Sequence, residues 1–378
     1  MSKIKFAFIS NHPAPYRDTF LQRLEQSGEL DVTVFSQFTT DLGHPFWALS
    51  NPPYSMQVLA QRNKPTLPVF FRYMTNFVLS RRFDCVCWNG FNPYWYHMVS
   101  LFIAAFLRRN YGIYVDTVRE RHPKGLLHFI KAYIIGRASF FFVPGSASRE
   151  FLVRDYNVQP NRVCLGAYSL DGLTLESEII SLRNQKAALR KKYGIGDNQK
   201  VFLMVANMLP TRRYPLTTAA FLRMCSRYDD ALYIIVGKGP DLSAMQALGA
   251  KNHHIKVIPG CSFNDMKELY ALSDVYVHGG MEPASTALVI GGIAGLPLIS
   301  SKDVGCCYDC VRDGVSGIEV KDPVSEDEWT SAFERMYCDC ANWGEMGQKA
   351  REYSRSLDVD VILSKFIETI KEVCGKKE

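Results

Sequence analysis

The sequence predicts an α/β protein that contains two parallel-sheet domains. The chain is 378 residues long, a length that suits two domains. Strand-like apolar runs alternate with helical patterns between residues 4 and 165, and the same alternation starts again at residue 201. This alternation is typical of parallel sheets covered by helices on both faces. We therefore predict a first domain over residues 1–170 and a second domain over residues 171–356.

The first half contains several short strand-like runs separated by helical segments. They cover residues 4–9, 31–35, 83–88, 113–115 and 163–165, with a further strand inside 136–146. This Rossmann-like opening lacks the GxGxxG fingerprint, which argues against a dinucleotide-dependent enzyme. His12 and Asp116 follow two of these runs, at the carboxyl ends where α/β sheets bind ligands, so both are candidate site residues. A hydrogen bond from His12 to a loop carbonyl is the alternative, as is a merely solvated carboxylate at Asp116.

The composition is that of a folded globular protein. The chain is 47% hydrophobic and 22% charged, so it can bury sizeable cores and is not disordered. Its formal net charge is +6, a mild excess that suits an anionic substrate or an anionic membrane surface. No run of five basic residues and no nucleic-acid-binding motif is present, so we expect no nucleic-acid partner.

The cysteines favour a reducing compartment. There are 11 of them, without a repeating frame, and the apolar run at the start is too short for a signal peptide. We therefore expect reduced thiols and a cytoplasmic location. The cysteines closest together in sequence are Cys306, Cys307 and Cys310, and Cys338 and Cys340. Their spacing is not that of the usual zinc sites, so we interpret them as small buried or partly exposed residues, with a zinc site as the alternative. The longest apolar stretch, 94–107, is too short to span a bilayer.

Residues 37–80 are predicted to be irregular and are rich in proline and aromatic residues. One interpretation is a surface that binds an acceptor or touches an anionic membrane. The other is a packed insertion with solvated basic ends. Both depend on the interleaving of basic and aromatic side chains, namely Lys64, Phe70, Phe71, Arg72, Tyr73, Phe77, Arg81 and Arg82.

Two loops of the second half suit a ligand that contains phosphate. The strand-like run 201–206 leads to Arg212 and Arg213, whose guanidinium groups offer paired donors and stay charged. Gly237 and Gly239 follow the next strand and let the backbone approach a ligand closely. A solvated turn is the alternative for the two arginines.

The segment 279–299 organises the second half. A strand-like run ends in two glycines, Glu282 follows, and Ser285 and Thr286 open an apolar helical run that Gly295 ends. A helix start at this position offers free backbone N–H groups and a positive dipole end, which suit phosphate. A solvated loop carboxylate is the alternative for Glu282 taken alone.

These motifs resemble the donor-site signature of the family 4 glycosyltransferases, which have the GT-B fold. Glu282 takes the first position of the signature, and Ala294-Gly295-Leu296-Pro297 matches its end. Val236-Gly237-Lys238-Gly239-Pro240 is similar to the family's Val-Gly-x-Gly-Pro turn. The stretch from residue 207 to 215 resembles Gly-Arg-Leu-x-x-x-Lys-Gly, with Arg212 in the position of the lysine.

Two positions depart from the family pattern. Ile290 stands where a second glutamate usually holds the ribose hydroxyls, and Asn207 stands where an arginine is usual. Arg213 is the residue that can supply the charge missing at Asn207. These losses motivate one alternative, a non-catalytic glycosyltransferase-like binding subunit. A second alternative is another enzyme of the same fold, a nucleotide-sugar epimerase or a phosphorylase.

The resemblance implies roles for the candidate residues. Glu282 would contact the sugar or the diphosphate end of the donor, and His12 and Asp116 would lie on the acceptor side, where an aspartate can take a hydroxyl proton. The cations would stabilise charge on the leaving diphosphate. The residues implied in donor binding are Asn207, Arg212, Arg213, Gly237, Gly239, Cys261, Ser285, Thr286 and Ala287.

The resemblance also implies the architecture and the reaction. It implies two Rossmann-like domains facing a cleft, with the last helix, about 357–378, packed back on the first domain. It implies a retaining, hexosyltransferase-type enzyme that moves a sugar from a nucleotide-sugar to a glycan or lipid-linked acceptor. No metal or other cofactor is expected. The setting it suggests is bacterial surface polysaccharide or glycolipid synthesis, peripherally on the inner face of the membrane.

Overall fold

Two parallel sheets organise the chain, and each belongs to a separate unit. The computed structural model describes residues 3–10, 15–37, 53–59, 67–91, 95–119, 125–166 and 170–375. The first unit is Met1–Leu170 together with Leu357–Glu378, and the second unit is Asp171–Ser356. The predicted α/β class with two parallel sheets is confirmed.

In the described part of the first unit, seven strands form one sheet. They are Ile4–Ser10 (β1), Leu30–Ser36 (β2), Met56–Val58 (β3), Cys85–Asn89 (β4), Tyr111–Tyr114 (β5), Phe140–Val143 (β6) and Val163–Leu165 (β7). Their spatial order is β3-β2-β1-β4-β5-β6-β7, so the direction of winding reverses between β1 and β4. The pairs formed by these strands are parallel.

Helices of the first unit follow these strands in sequence. They are Pro15–Gln26 (α1), Leu67–Tyr73 (α2), Trp95–Phe106 (α3), Leu126–Arg137 (α4) and Ser146–Tyr156 (α5). The irregular structure predicted for residues 37–80 is wrong for the part that the structure describes. There β3 pairs with β2 at the sheet edge, and α2 continues into a π-helical turn over Met74–Leu79. Pro68 did not prevent the helix, because proline is tolerated in a first helical turn.

The sheet of the second unit has the strand order of a Rossmann fold. Its strands are Lys200–Val205 (β8), Ala231–Val236 (β9), Ile255–Ile258 (β10), Val275–His278 (β11), Leu298–Ser301 (β12) and Gly317–Val320 (β13). The spatial order is β10-β9-β8-β11-β12-β13, and every pair is parallel. The winding direction therefore reverses between β8 and β11.

Helices flank this second sheet. They are Gly172–Arg183 (α6), Lys186–Lys192 (α7), Tyr214–Cys225 (α8), Leu242–Gly249 (α9), Phe263–Leu272 (α10), Thr286–Ile293 (α11), Cys307–Cys310 (α12), Glu326–Cys338 (α13) and Trp343–Ser354 (α14). Their buried faces share a core with the strands, in which Phe202, Phe221 and Phe333 pack edge to face. None of the helices in the described ranges has the length and apolar character needed to cross a bilayer.

The last helix, Val359–Cys374 (α15), packs in the first unit. Its apolar stripe repeats at helical spacing, with Ile362, Phe366 and Ile370 buried. The Phe366 ring lies 5.2 Å from the Phe20 ring and 4.9 Å from the Phe142 ring, between centroids. One residue of α15 therefore joins a helix and a strand of the first unit.

We expect Phe366→Ala to lower the free energy of unfolding by about 3–5 kcal/mol, because it empties a buried ring site. Chemical denaturation monitored by circular dichroism measures this change. Val361→Ala is the matched control, since Val361 lies on the same helix with 41% of its surface exposed. Its cost should stay within about 0.5 kcal/mol. Equal losses in the two variants would contradict the packing described for α15.

Candidate functional site

The candidate site lies at the carboxyl edge of the second sheet, where the winding direction reverses. The loop after β8 carries Arg212 and Arg213, and the loop after β11 carries Glu282. Ligands of open α/β sheets bind in the crevice beside such a reversal, because the two loops diverge there. The order β8-β11 in the sheet thus brings together two loops that are about 70 residues apart in sequence.

Two glycines after β11 pack against residues of the loop after β8 and of α8. A Cβ atom on Gly280 would lie 2.9 Å from Arg212 Cδ, and a Cβ atom on Gly279 would lie 2.6 Å from Thr217 Cγ2. Neither position can carry a side chain without movement of its neighbours. Gly280 therefore leaves room for the Arg212 side chain, and Gly279 leaves room for Thr217.

Arg212, Glu282 and His278 form a buried ionic cluster. Arg212 Nη2 donates to Glu282 Oε2 at 2.6 Å, and Arg212 Nη1 donates to the Met281 carbonyl at 2.9 Å. On the other side of the carboxylate, His278 Nε2 lies 2.5 Å from Glu282 Oε1. The Arg212 and Glu282 side chains are 15% and 17% exposed, and His278 is fully buried. We call these three residues the Glu282 cluster.

The Glu282 cluster keeps its carboxylate ionised. Burial alone would raise the pKa of Glu282, but a hydrogen bond and charge from His278, the Arg212 cation and a Ser285 hydrogen bond together hold that pKa below its ordinary value. At neutral pH the site therefore contains an anion and a guanidinium side by side. Among the described residues, no hydrogen-bond partner reaches Arg212 Nε or His278 Nδ1, although both atoms are buried.

Arg213 has a different place from Arg212. It adopts a left-handed conformation, φ 55°, at the start of α8. Its Nη2 donates to Asp303 Oδ2 at 2.6 Å, and its Nη1 donates to the Gly279 carbonyl at 3.0 Å. The guanidinium thus links the β11 loop to the residues after β12. Its role in donor binding stays a prediction.

The start of α11 lies beside the Glu282 cluster. Ser285 caps the helix, since its Oγ accepts from Leu288 N at 3.3 Å. The Ser285 N–H itself donates to Cys306 Sγ at 3.2 Å. Thr286 and Ala287 occupy the first turn, where helix N–H groups have no partner within the helix. A negatively charged group placed there would gain from those N–H groups and from the helix dipole.

The two glycines after β9 bring its loop against the loop after β8. Gly237 and Gly239 have φ of 159° and 150°. A Cβ atom on Gly237 would lie 1.9 Å from the Ala206 carbonyl, and one on Gly239 would lie 2.4 Å from the Met208 carbonyl. Their predicted close approach to a ligand is not tested by these contacts, which are with neighbouring backbone.

The other predicted residues lie in different places. Asn207 is exposed two residues after β8, and Cys261 is exposed three residues after β10. Asp116 is exposed two residues after β5 in the first unit. His12 lies outside the described residues. Their functional roles stay predictions.

The motif departure at Ile290 has a clear structural counterpart. Ile290 is 2% exposed on α11 and belongs to the apolar interior of the second unit. The side chain at this position cannot hold a ribose hydroxyl, because it offers no polar atom.

Two residues of the site were missed by the sequence analysis. His278 is the last residue of β11, and its partner Glu282 is four residues further on. Asp303 binds Arg213 from two residues beyond β12. A histidine ending an otherwise apolar strand was an available signal for the first. Nothing in the local sequence distinguishes Asp303 from other loop carboxylates.

Residues 185–356 match the family described as Glycosyl transferases group 1. The chain is 24% identical over 163 residues to N-acetyl-alpha-D-glucosaminyl L-malate synthase of Bacillus anthracis, covering 42% of this chain and 41% of that protein. It is 25% identical over 179 residues to a GDP-mannose-dependent alpha-(1-6)-phosphatidylinositol monomannoside mannosyltransferase of Mycobacterium tuberculosis, covering 44% and 46%. The chain thus spans less than half the length of these relatives.

Solved structures are similar over the whole chain. Anabaena Alr3699/HepE, crystallised in complex with UDP, has a TM-score of 0.72 at 16% identity, covering 98% of this chain and 100% of that one. A glycosyltransferase from Rickettsia africae has a TM-score of 0.76 at 13% identity, covering 100% of both chains. At such low identity these similarities establish the fold, which is GT-B.

Proposed function

We propose that this protein transfers a sugar from a nucleotide-sugar to a glycan or lipid-linked acceptor, because residues 185–356 match the group 1 glycosyltransferase family. The observation that carries the proposal is the Glu282 cluster beside the start of α11. It combines a guanidinium, an ionised carboxylate and a helix N-terminus at one sheet edge. The guanidinium and the helix N-terminus can bind a diphosphate, and the carboxylate can accept hydrogen bonds from sugar hydroxyls.

The chemistry follows from where charge develops. When the bond from the sugar to the diphosphate breaks, negative charge accumulates on the leaving phosphate oxygens. Arg212 and the first-turn N–H groups of α11 would bind that charge, and Arg213 is a further cation nearby. We propose that these groups make a metal ion and any other cofactor unnecessary for transfer, and that transfer occurs with retention.

Glu282 has two tasks in this proposal. Its Oε2 accepts from Arg212 and so aims the guanidinium, and the carboxylate can also accept hydrogen bonds from donor sugar hydroxyls. His278 supports both tasks because it binds the second carboxylate oxygen. We therefore regard His278 as a positioning residue and Glu282 as the residue that touches the donor. A hexose, with several hydroxyls in fixed positions, suits this arrangement.

Exposed apolar residues of the first unit support the proposal that the acceptor lies at a membrane surface. Large apolar side chains are exposed on α2, α3 and α4, and ring contacts connect some of them: Phe70 with Phe71 and with Trp95, and Phe102 with Tyr133. Phe71, Phe106, Leu126 and Phe129 are 61–76% exposed. Solvent-exposed apolar groups on neighbouring helices are costly in water and suit a lipid headgroup boundary. We propose a peripheral contact with an anionic membrane, as in bacterial surface polysaccharide or glycolipid synthesis.

We expect Leu126→Glu/Phe129→Glu to reduce binding to vesicles that contain anionic lipid, because it places two charges on this apolar surface. Co-sedimentation at fixed ionic strength measures the bound fraction. Leu173→Glu/Val324→Glu is the matched control, since both residues are exposed apolar residues of the second unit. Unchanged binding by the first variant would refute the proposed surface.

One observation favours a second candidate function, a non-catalytic nucleotide-sugar-binding or glycosyltransferase-like subunit. Ile290 packs in the core where a ribose-binding carboxylate would be expected. If the remaining groups cannot hold a donor, the unit is a binding or structural module.

A panel of nucleotides and nucleotide-sugars tests the proposal directly. Thermal unfolding is measured with UDP, GDP, ADP and their common sugars, and hydrolysis or transfer of the stabilising sugar is then followed with lipid and glycan acceptors. A ligand that binds only the native state raises the unfolding temperature. Stabilisation by one nucleotide together with transfer supports the enzyme. Stabilisation without transfer to any acceptor favours the binding subunit, and no stabilisation at millimolar concentration refutes the donor site.

A further inference from the structure

A second group of convergent side chains lies at the opposite edge of the second sheet. Asp229 precedes β9 by two residues, and His253 and His254 directly precede β10. They therefore lie at the amino ends of these strands, whereas the Glu282 cluster lies at the carboxyl edge. We propose that Asp229, His253 and His254 bind a divalent transition-metal ion such as Zn²⁺.

The distances fit a metal that is bound by three protein ligands. His253 Nε2 lies 3.3 Å from Asp229 Oδ1, and His254 Nε2 lies 3.4 Å from the same oxygen. All three ligand atoms lie within 4.8 Å of one another. Tetrahedral Zn²⁺ with bonds of about 2.0–2.1 Å keeps its ligand atoms roughly 3.3–3.4 Å apart. The two separations from Asp229 Oδ1 therefore match those of a bound ion, and the two histidine nitrogens lie within 4.8 Å of each other.

A hydrogen bond to the backbone fixes the orientation of the His254 ring. Its Nδ1 lies 2.8 Å from the Ala231 carbonyl oxygen, which can only accept, so Nδ1 carries the hydrogen. In the neutral ring, Nε2 then has a lone pair that points at the Asp229 carboxylate oxygen. These two electron-rich atoms repel each other, and a cation bound between them would remove the repulsion. A histidine whose other nitrogen donates to a carbonyl is the usual form of a metal ligand.

Access and position indicate a stabilising ion. The His254 side chain is 9% exposed, whereas those of His253 and Asp229 are 72% and 90% exposed. An ion can therefore enter from solvent and keep water in its remaining coordination position. It would join the turn before β9 to the turn before β10, the edge strand of the sheet. This role is separate from the proposed metal-independent transfer at the other edge.

Thermal unfolding of the full chain, prepared without a histidine tag and treated with a chelator, tests the site. We expect Zn²⁺ to raise the unfolding temperature by roughly 5–10 °C at about 100 times its dissociation constant. Equilibrium dialysis should give one bound Zn²⁺ that is lost in His253→Gln and in Asp229→Asn. Both residues are largely exposed, so these variants should fold normally.

Two controls separate this site from other ligands of zinc. His128→Gln removes an imidazole in the first unit and should keep the shift. Cys338→Ser/Cys340→Ser removes two exposed thiols and should also keep it. The proposal is overturned if Zn²⁺ gives no shift, if the shift survives in both site variants, or if it disappears with the cysteines. Nucleotide-induced stabilisation should be the same in all these variants, so failure here is distinct from failure of the donor site.

Discussion

Arg212→Ala is expected to lower kcat/KM for sugar transfer by about 100- to 1000-fold, the usual cost of removing one donor that stabilises developing charge. Arg212 is the cation of the Glu282 cluster, and in this structure its Nη2 donates to Glu282 and its Nη1 to the Met281 carbonyl. Its side chain is 15% exposed, and each Nη atom carries a second hydrogen, so the guanidinium can also donate to a phosphate oxygen. Steady-state kinetics with the identified nucleotide-sugar measures the loss.

Arg212→Lys distinguishes charge from geometry. An ammonium keeps the positive charge but cannot reach two acceptors in a planar fork, so we expect recovery of only part of the activity. Arg223→Ala is the matched control, because Arg223 also forms an ion pair in the second unit, with Asp327, but both side chains are largely exposed. Surface pairs of this kind contribute little. If Arg212→Ala retained wild-type kcat/KM, the proposed donor site would be wrong.

His278→Ala is expected to raise the pH at which activity falls on the acid side. In the folded protein, burial alone would raise the pKa of Glu282, and His278 is the first of the groups that hold it below the ordinary value. Without the imidazole the opposing effect of burial gains weight, so the carboxyl takes up its proton at a higher pH. The acid limb of kcat/KM against pH should therefore move upward, with a lower plateau because the carboxylate is less well positioned.

The same linkage gives a stability prediction with a definite sign. A carboxyl whose folded pKa is lower than its unfolded pKa stabilises the native state above the unfolded value, and that stabilisation disappears as pH falls through the folded pKa. Glu282→Gln should therefore be less stable than wild type near pH 7, and the difference should shrink on acidification. Denaturation at several pH values measures this convergence.

His253→Gln is the control for the kinetic experiment, since His253 is an exposed histidine far along the sheet from Glu282. Its acid limb should coincide with that of wild type. A pH profile of His278→Ala that only drops in height, without moving, would show that His278 has a purely structural role.

Much of the fold was predictable from local patterns. Apolar runs such as Ile4–Ser10 and Ala231–Val236 predict buried parallel strands, because both faces of such strands are covered by helices. The glycines after β9 and β11 mark places where backbone groups come close. The segment 37–80 was harder, because the strand Met56–Val58 is short and its pairing partner β2 decides its structure.

The site was only partly predictable. The sequence indicated Arg212 and Glu282, through a cation after one strand and an acidic residue before a helix start. That these two side chains bind each other depends on the neighbouring positions of β8 and β11. Arg213 points toward Asp303 because its own backbone is left-handed at the start of α8. Local patterns do not specify this conformation.

From the sequence alone we predicted an α/β chain with two parallel sheets, which the structure confirms, and phosphate-binding loops after the second set of strands, which stay a prediction. The periodicity of apolar residues, the turn residues and the helix caps carry that information in local sequence. The three-dimensional arrangement was needed to show that His278 hydrogen-bonds Glu282, that Ile290 is buried, and that Asp229 lies beside two histidines at the opposite sheet edge. These outcomes depend on strand order and side-chain direction, which arise from packing between segments distant in sequence.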